Sequence, residues 1–180
     1  MAVNKSSIQR KVKKMHKKAE ELMFADLLSF GEDGRISLFN NSAFLFPSDF
    51  ILKLEEQLQP NEIYELAKKM PLPIIKVLSE RKMKELERLD FLLELAEVFG
   101  VGSISVPNFD QTKLTHEVII SNSNPNKVSC HHTRGYLATV FSDSLSHNFE
   151  CDETECVSRG GENCKFVLFT KDQYRISSDH

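Results

Sequence analysis

A chain of 180 residues is long enough to bury one sizeable hydrophobic core, and its 41% hydrophobic and 27% charged residues are ordinary for a globular protein. No stretch approaches the length of a transmembrane helix, and no apolar segment follows the charged N-terminus as it would in a secretion signal. We therefore expect a cytoplasmic protein with reduced thiols, which favours metal or redox chemistry for its four cysteines.

The net charge of −3 hides an asymmetry, because residues 1–20 carry seven lysines and arginines against a single acid. Apolar residues recur there at spacings of four and three, at Ile8, Val12, Met15, Ala19 and Leu22. The pattern predicts an amphipathic helix over residues 6–28, and we assign residues 1–30 to a basic N-terminal helix. A solvated face is the simpler interpretation of the charge. The alternatives are a dimer contact, or binding of nucleic acid, an anionic membrane or an output protein through residues 5–18.

The next elements are mostly helical. After turns at Gly31 and Gly34 the sequence predicts a short strand that ends near Phe39, then a helix that begins at Ser48. A further helix follows Asn61 and ends at "MPLP". Residues 74–99 predict one more helix, which Gly100 terminates. We expect one face of that helix to carry Leu86, Leu89, Leu93 and Ala96.

The second half of the chain is rich in predicted strands. "SISV" and "THEVIISNS" are β-rich, and "HNFECDE" and "CKFVLFT" are two strands that a tight turn at Gly160-Gly161 joins. Residues 131–145 predict a helix between these pairs, with Ser129 as a possible cap. The fold class is therefore α+β, with a helical N-terminal half packed on an antiparallel sheet. One domain covers residues 31–172, and a polar tail covers residues 173–180.

Three cysteines and an acid gather near the C-terminal hairpin. Cys156 and Cys164 flank the predicted turn, while Cys151 and Glu153 share one face of the preceding strand. Cys130 precedes the 131–145 helix, where the helix dipole favours a thiolate, and His131 and His132 follow it. Thiolates, imidazoles and carboxylates are metal ligands, yet buried or redox-active cysteines fit the spacing equally well.

The stretch "ETECVSRGGENCKF" resembles the C-terminal signature of the 4-vinyl reductase domain family. In that signature an acid precedes a cysteine by three residues, a glycine follows, and a second cysteine stands eight residues after the first. Upstream, "AEVFGVGSISV", "EVIISNS" and "VSCHHTRGYLA" are similar to the family's helix-Gly-x-Gly-strand passage, its next strand and its cysteine-bearing entry to a helix. The resemblance covers roughly residues 30–170.

The resemblance implies a fold shared with trafficking-complex subunits and haem nitric-oxide sensors, usually as homodimers. In aromatic-sensing members zinc is held by three cysteines and one glutamate, which fall here on Cys130, Glu153, Cys156 and Cys164. These would form a zinc-stapled hairpin, a closed structural site without an open position for substrate. Cys151 has no place in that set. It is either a free thiol or, as in a redox-regulating branch of the family, a partner for Cys156.

Catalysis finds little support, since the sequence contains no nucleophile motif, phosphate loop or dinucleotide fingerprint. The resemblance implies instead a small apolar ligand, aromatic or hydrocarbon-like, bound by a sensor or carrier. Aromatic residues of the chain could line a pocket for such a ligand, although ordinary core packing is the simpler role for each of them. The chain contains no tryptophan, and in this it departs from phenol-sensing relatives. The alternatives are a thiol redox switch, a protein associated with tetrapyrrole vinyl reduction, and an assembly scaffold. The ligand-binding candidates are Phe46, Phe50, Phe91, Phe99, Phe109, Tyr136 and Phe141.

Overall fold

A computed structural model of the chain describes residues 56–123 and 130–170, together with Lys17, Lys53 and the segments 28–30, 36–38 and 41–43. The chain divides into two compact units, Met1–Leu45 and Phe46–His180. Among the described helices, none has the length and apolar character needed to cross a membrane.

The first unit contains a three-stranded antiparallel sheet. Its strands are β1 (Leu28–Phe30), β2 (Ile36–Leu38) and β3 (Asn41–Ala43), and they lie in sequence order. β2 is the strand that we predicted before Phe39, whereas β1 and β3 were not predicted. The predicted N-terminal helix cannot extend to Leu28, because Leu28 already pairs with Leu38. Lys17 is helical, and the rest of that prediction lies outside the described residues, as does most of the helix expected from Ser48.

The described part of the second unit begins with helical residues at Lys53, Glu56 and Gln57. Three helices follow: α1 (Pro60–Lys69), α2 (Leu72–Glu80) and α3 (Glu85–Val98). α1 agrees with the helix predicted after Asn61. The single helix predicted over residues 74–99 is wrong, because the chain breaks it between α2 and α3. At the end of α2, Lys82 adopts φ +60°, and the N–H groups of Lys82 and Met83 donate to the carbonyls of Ser79 and Leu78. These two bonds form a Schellman motif, which closes the helix.

The buried face of α3 agrees with the predicted one at Leu89 and Ala96 and differs from it at the other two positions. Leu86 is 38% exposed and Leu93 is half-buried, whereas Leu92 and Leu95 are almost fully buried. Arg88 is buried as well, and its Nε donates to Oδ2 of Asp143 at 2.9 Å. The face is rotated toward this ion pair because a buried guanidinium needs a charged or carbonyl acceptor.

A four-stranded antiparallel sheet forms the other layer of this unit. Its strands are β4 (Ser103–Ser105), β5 (Thr115–Ser121), β6 (Phe149–Glu155) and β7 (Cys164–Thr170), in the order β4-β5-β7-β6. Alternate residues of β7 are buried, as expected for a strand with one face on the core. These helices and this sheet confirm the α+β prediction.

Helix α4 (His131–Leu145) lies on the sheet against β6, and α1 and α3 pack on α4. The sheet is therefore covered chiefly by a helix of the second half, not by the N-terminal helices as we expected. α1 and α4 cross at Gly135, where a Cβ atom would collide with the Tyr64 carbonyl oxygen and lie 2.8 Å from Cβ of Ala67. The crossing continues at Thr139, whose hydroxyl donates to the Lys68 carbonyl at 2.9 Å.

Candidate metal centre and its surroundings

The structure brings Cys130, Glu153, Cys156 and Cys164 together, and we call this group the cysteine–glutamate cluster. One ligand atom of each lies within 4.8 Å of the others. The Sγ atom of Cys130 is 3.8 Å from the Sγ atoms of both Cys156 and Cys164. The cysteines are buried, and the Glu153 side chain is 7% exposed. A group of this kind could hold a metal ion.

Each member comes from a different part of the fold. Cys130 is the N-cap residue of α4, Glu153 lies in β6, and Cys164 begins β7 opposite Ile120 of β5. Cys156 follows β6 directly. In a regular strand residues 153 and 156 would point to opposite faces, but the pairing of β6 with β7 is irregular between Glu153 and Glu155. Such irregularities redirect side chains, so Cys156 joins the same group as Glu153.

The connection between β6 and β7 positions Cys156. It is longer than the tight Gly160-Gly161 turn that we predicted, since it contains a short 3-10 turn at Val157–Arg159. The N–H groups of Arg159 and Gly161 donate to the Cys156 carbonyl at 3.1 and 2.9 Å. Gly160 has φ +92°, and a Cβ at Gly161 would lie 2.7 Å from Cγ of Glu155. Both glycines are therefore needed, one for its backbone angle and one for the close approach.

Burial sets the electrostatics of the cluster. It raises the pKa of the Cys130 thiol far above its usual range, and the neighbouring Glu153 carboxylate raises it further. Burial also raises the pKa of Cys156, where hydrogen bonds from Ser158 partly oppose the shift. A bound cation would reverse these directions, because it attracts thiolates and displaces their protons.

Glu153 supplies a second indication that the group fits a cation. Its Oε2 atom pairs with Nη2 of Arg159 at 2.9 Å. Its Oε1 atom is buried and has no hydrogen-bond donor of ordinary geometry in the described part of the chain. A buried carboxylate oxygen without a partner is costly, and a metal ion is one way to satisfy it.

Cys151 is buried but stands outside the cluster of ligand atoms that the described residues form. Burial raises the pKa of its thiol, although the nearby Arg134 guanidinium acts in the opposite direction. Nε of Arg134 donates to the Cys151 carbonyl at 2.8 Å. Reactive cysteines need a stabilised thiolate and access to solvent, so these surroundings disfavour the redox role that we considered for Cys151.

The predicted ligand-binding aromatic residues do not form one group. Phe141 is fully buried, Phe91 is half-buried, and the Tyr136 hydroxyl donates to the Leu92 carbonyl at 2.8 Å. Phe99 and Phe109 are 56% and 39% exposed. The remaining two, at positions 46 and 50, lie outside the described residues.

Several aromatic rings contact one another around His116. Neither His116 nor Phe149, which belongs to the same group, was predicted as a site residue. The ring of His116 lies 5.5 Å from each of the rings of Phe109, Phe141 and Phe149, and we call these four residues the aromatic cluster. Burial lowers the pKa of His116, whose Nε2 donates to the Lys113 carbonyl at 2.9 Å. The alternation along "THEVII" contained the signal, because His116 shares its strand face with the buried Val118 and Ile120.

A separate cleft of about 610 Å³ is lined by residues 84–87, 111–112 and 144–146. Most of these side chains are polar or charged, and none belongs to the predicted ligand-binding set. The cleft therefore does not match the apolar site that the sequence led us to expect.

The cysteine–glutamate cluster lies entirely within the part of the chain that one protein family matches. Residues 124–169 match the 4-vinyl reductase domain family. This confirms the resemblance that the C-terminal motif indicated. The match contains α4, β6 and nearly all of β7, so it covers the elements that carry the four cluster residues.

Solved structures share the fold of most of the chain. The crystal structure of the phenol-responsive sensory domain of the transcription activator PoxR, with phenol, is 17% identical; the match covers 88% of this chain and 91% of that domain, with a TM-score of 0.71. A vinyl-4-reductase family protein from Methanocaldococcus jannaschii is 16% identical, over 71% of this chain and 83% of that one, with a TM-score of 0.50. At these identities the likeness shows the fold alone.

A trafficking protein particle complex subunit 3 from Naegleria fowleri, covalently bound to palmitic acid, is more distant. It is 11% identical over 68% of this chain and 89% of that one, and its TM-score of 0.46 carries no argument. A comparison with curated protein sequences gives no match.

Proposed function

We propose that this protein is a regulatory domain of the 4-vinyl reductase type that binds a small apolar ligand, as a sensor or carrier, and that zinc cross-links its C-terminal part. The observation that carries the proposal is the combination of a complete four-ligand cluster with the fold of a phenol-responsive sensory domain over 88% of the chain. A homodimer in the cytoplasm, with output through residues 5–18, completes the proposal.

Zinc is the metal that the donors favour. Zinc has no geometric preference of its own and is typically bound tetrahedrally by cysteine, with histidine or carboxylate completing the set. Cys130, Cys156 and Cys164 would supply three sulfurs and Glu153 one oxygen, through the Oε1 atom that lacks a donor. Because four protein ligands leave no open position, zinc there would supply a structural cross-link between α4, β6 and β7.

The aromatic cluster is the part of the described chain that best supports an apolar ligand. Phe109 and Phe141 were both predicted for that role, and Phe109 is exposed enough for a ligand to reach it. Since Nε2 of His116 donates to Lys113, the neutral ring leaves Nδ1 as an acceptor. A ligand with an aromatic ring and a hydroxyl group would then pack on phenylalanine and donate to His116.

Native mass spectrometry of the purified protein tests the metal and dimer together, because the mass reports one zinc per chain and two chains per particle. Thermal shift with phenol, toluene and an alkane tests the ligand. We expect at least one aromatic probe to raise the melting temperature in a concentration-dependent way. No shift with any of the three probes would contradict a ligand of this class.

The chain offers a matched pair of variants for the ligand test. Phe109 and Phe99 are both exposed phenylalanines, and of these two Phe109 is the one whose ring contacts His116. We expect Phe109→Ala to reduce the shift caused by the aromatic probe and Phe99→Ala to leave it unchanged. Equal effects of the two substitutions would exclude the aromatic cluster as the binding site.

A further inference from the structure

Among the described residues, three of the four members of the cysteine–glutamate cluster have a hydrogen-bond partner on a side chain from outside the cluster. The Ser123 hydroxyl lies 3.3 Å from Sγ of Cys164, and the Ser158 hydroxyl lies 3.1 Å from Sγ of Cys156. Nη2 of Arg159 lies 2.9 Å from Oε2 of Glu153. Each donor serves a different member of the cluster, so the three contacts form an outer layer around it.

These donors are fixed by the same elements that fix the ligands. Ser123 follows β5, which pairs with β7 so that Ile120 stands opposite Cys164, and Ser123 is only 6% exposed. Ser158 and Arg159 belong to the 3-10 turn that follows Cys156. The hydroxyl of Ser158 and the guanidinium of Arg159 therefore reach back to two ligands from one short turn.

The charge of the site explains why such donors are needed. Three thiolates and one carboxylate carry more negative charge than a divalent ion neutralises, and three of the four residues are almost fully buried. Excess charge in a buried site is costly unless hydrogen bonds or an opposite charge compensate it. Once its proton is lost, a thiolate only accepts hydrogen bonds, so each serine hydroxyl becomes the donor.

We propose that Ser123, Ser158 and Arg159 are positioning residues of the metal centre: the serines hold two thiolates, and Arg159 occupies one oxygen of Glu153 so that the other binds the metal. This inference rests on the proposed metal site. It identifies the residues that raise the affinity of the site for the metal and that determine which oxygen of Glu153 binds it. Partners of this kind typically contribute about 10- to 100-fold to metal affinity.

Replacement of zinc by Co²⁺ makes the ligand bonds visible, because thiolate-to-cobalt charge transfer absorbs in the near ultraviolet. We expect Ser158→Ala and Ser123→Ala to weaken Co²⁺ binding about 10-fold or more, in competition with a chelator, and to move this band to lower energy. A thiolate without its hydrogen bond gives up electrons more readily. Arg159→Gln should weaken binding without moving the band, since it acts on the carboxylate.

Two control variants remove a serine hydroxyl and a positive charge that do not contact the cysteine–glutamate cluster. Ser121→Ala removes a serine of β5 whose hydroxyl bonds to the Ser103 carbonyl, and Lys165→Gln removes an equal charge from the ion pair with Glu155. Both should bind Co²⁺ as the unaltered protein does. Ser158→Thr keeps a hydroxyl at an exposed position. Unlike Ser158→Ala, it should bind Co²⁺ with the affinity and the charge-transfer band of the unaltered protein.

The outcomes separate this inference from the proposed function. Unaltered protein without a tetrahedral Co²⁺ spectrum would overturn the metal site, and this inference with it. A normal spectrum of the unaltered protein, together with serine and Arg159 variants that behave like the two controls, would overturn this inference alone. Since Ser158 and Arg159 are exposed, their variants should fold even if Ser123→Ala does not.

Discussion

At the scale of single residues, Cys151 and Cys156 show how position decides the chemistry of one residue type. Both are buried free thiols, Cys151 near the beginning of β6 and Cys156 directly after its end. Cys156 faces Cys130, with 3.8 Å between the sulfurs, whereas Cys151 pairs across the sheet with Leu168 and stands outside the cluster. We infer that Cys156 binds the metal and that Cys151 is a small core residue.

The first prediction compares these two cysteines. Cys156→Ser should release the metal and lower stability strongly, because metal binding free energy is also folding free energy in such sites. Cys151→Ala should keep one metal per chain and cost only about 1–2 kcal/mol, as a small core truncation does. Metal analysis and urea unfolding of both variants provide the measurements. Metal retained by Cys156→Ser and lost by Cys151→Ala would reverse the assignment.

His116 is a titratable residue in an apolar setting, with three phenylalanine rings at 5.5 Å from its own. Burial lowers its pKa below the ordinary value of 6.5. The hydrogen bond to the Lys113 carbonyl and the Asp110 carboxylate raise the pKa to smaller extents, and the Lys113 charge lowers it slightly. The unfolded chain therefore takes up this proton more readily than the folded one. The stability associated with neutral His116 is present above about pH 6.5 and is lost as the pH falls toward the folded-state pKa.

The second prediction follows from the lowered pKa of His116 in the folded state. Between pH 7.5 and pH 5 the free energy of unfolding should fall less steeply in His116→Gln than in the unaltered protein, because glutamine cannot take up the proton. Urea unfolding at several pH values measures both slopes, and metal content is determined at each pH because acid also releases metal from thiolates. Parallel curves in samples of equal metal content would refute the prediction.

At the scale of elements, the contact between α1 and α4 depends on the absence of a side chain. Gly135 lets the two backbones approach, and Thr139 binds the Lys68 carbonyl one turn further on. Arg134 lies on the same helix, where it pairs with Asp152 of β6 at 2.6 Å and stacks over the Tyr64 ring of α1 at 5.1 Å. α4 is thus the element that joins the helices to the sheet.

The third prediction tests this crossing. Gly135→Ala should destabilise the protein by about 2–3 kcal/mol through overpacking, although alanine has the higher intrinsic helix propensity. Thr139→Ala, on the same face, should cost about 1 kcal/mol for one hydrogen bond. Thermal and urea unfolding compare the two, and a Gly135→Ala variant that is as stable as the unaltered protein would contradict the close approach.

Helix ends show which elements the sequence could predict. Gly100 has φ +87°, and the N–H groups of Gly100 and Val101 donate to Glu97 and Ala96, so α3 ends where a glycine predicted it. α2 ends with the same pattern of bonds, but with Lys82 in the left-handed conformation. A lysine gives no sequence signal for that conformation, and the break between α2 and α3 was missed for this reason.

At the scale of the whole molecule, the proposed metal would connect segments that are far apart along the chain. Cys130 lies 34 residues from Cys164, and the cluster joins the start of α4 to both strands of the C-terminal hairpin. A metal that binds only the folded state stabilises the fold by its binding free energy, because the unfolded chain does not hold these ligands together.

The fourth prediction concerns removal of this metal. A strong chelator should lower the melting temperature by roughly 10 °C or more, and added zinc should restore it. Circular dichroism and differential scanning calorimetry follow the change, and the Cys156→Ser variant serves as the control because it should not respond to chelator or zinc. A melting temperature that chelation leaves unchanged would show that the cluster does not cross-link the fold.

The sequence by itself determined the α+β class, the 131–145 helix, the strands of the C-terminal hairpin and the four residues of the cluster. The class, the helix and the strands rest on local signals, which are period-two alternation, helix periodicity and glycine at turns. The four cluster residues rest instead on the resemblance to the 4-vinyl reductase domain family. Leu86 and Leu93 were misplaced on the buried face of α3, because periodicity gives the existence of an apolar face but not its exact rotation.

Only the tertiary structure decided which elements meet. It placed α4 on the sheet, buried His116 among three phenylalanines, and brought Ser123 to Cys164 across 41 residues of chain. It also showed that Phe99, a predicted ligand-binding residue, is 56% exposed. Such contacts depend on strand register and helix crossing, which are set by packing between distant segments and leave no pattern along the chain.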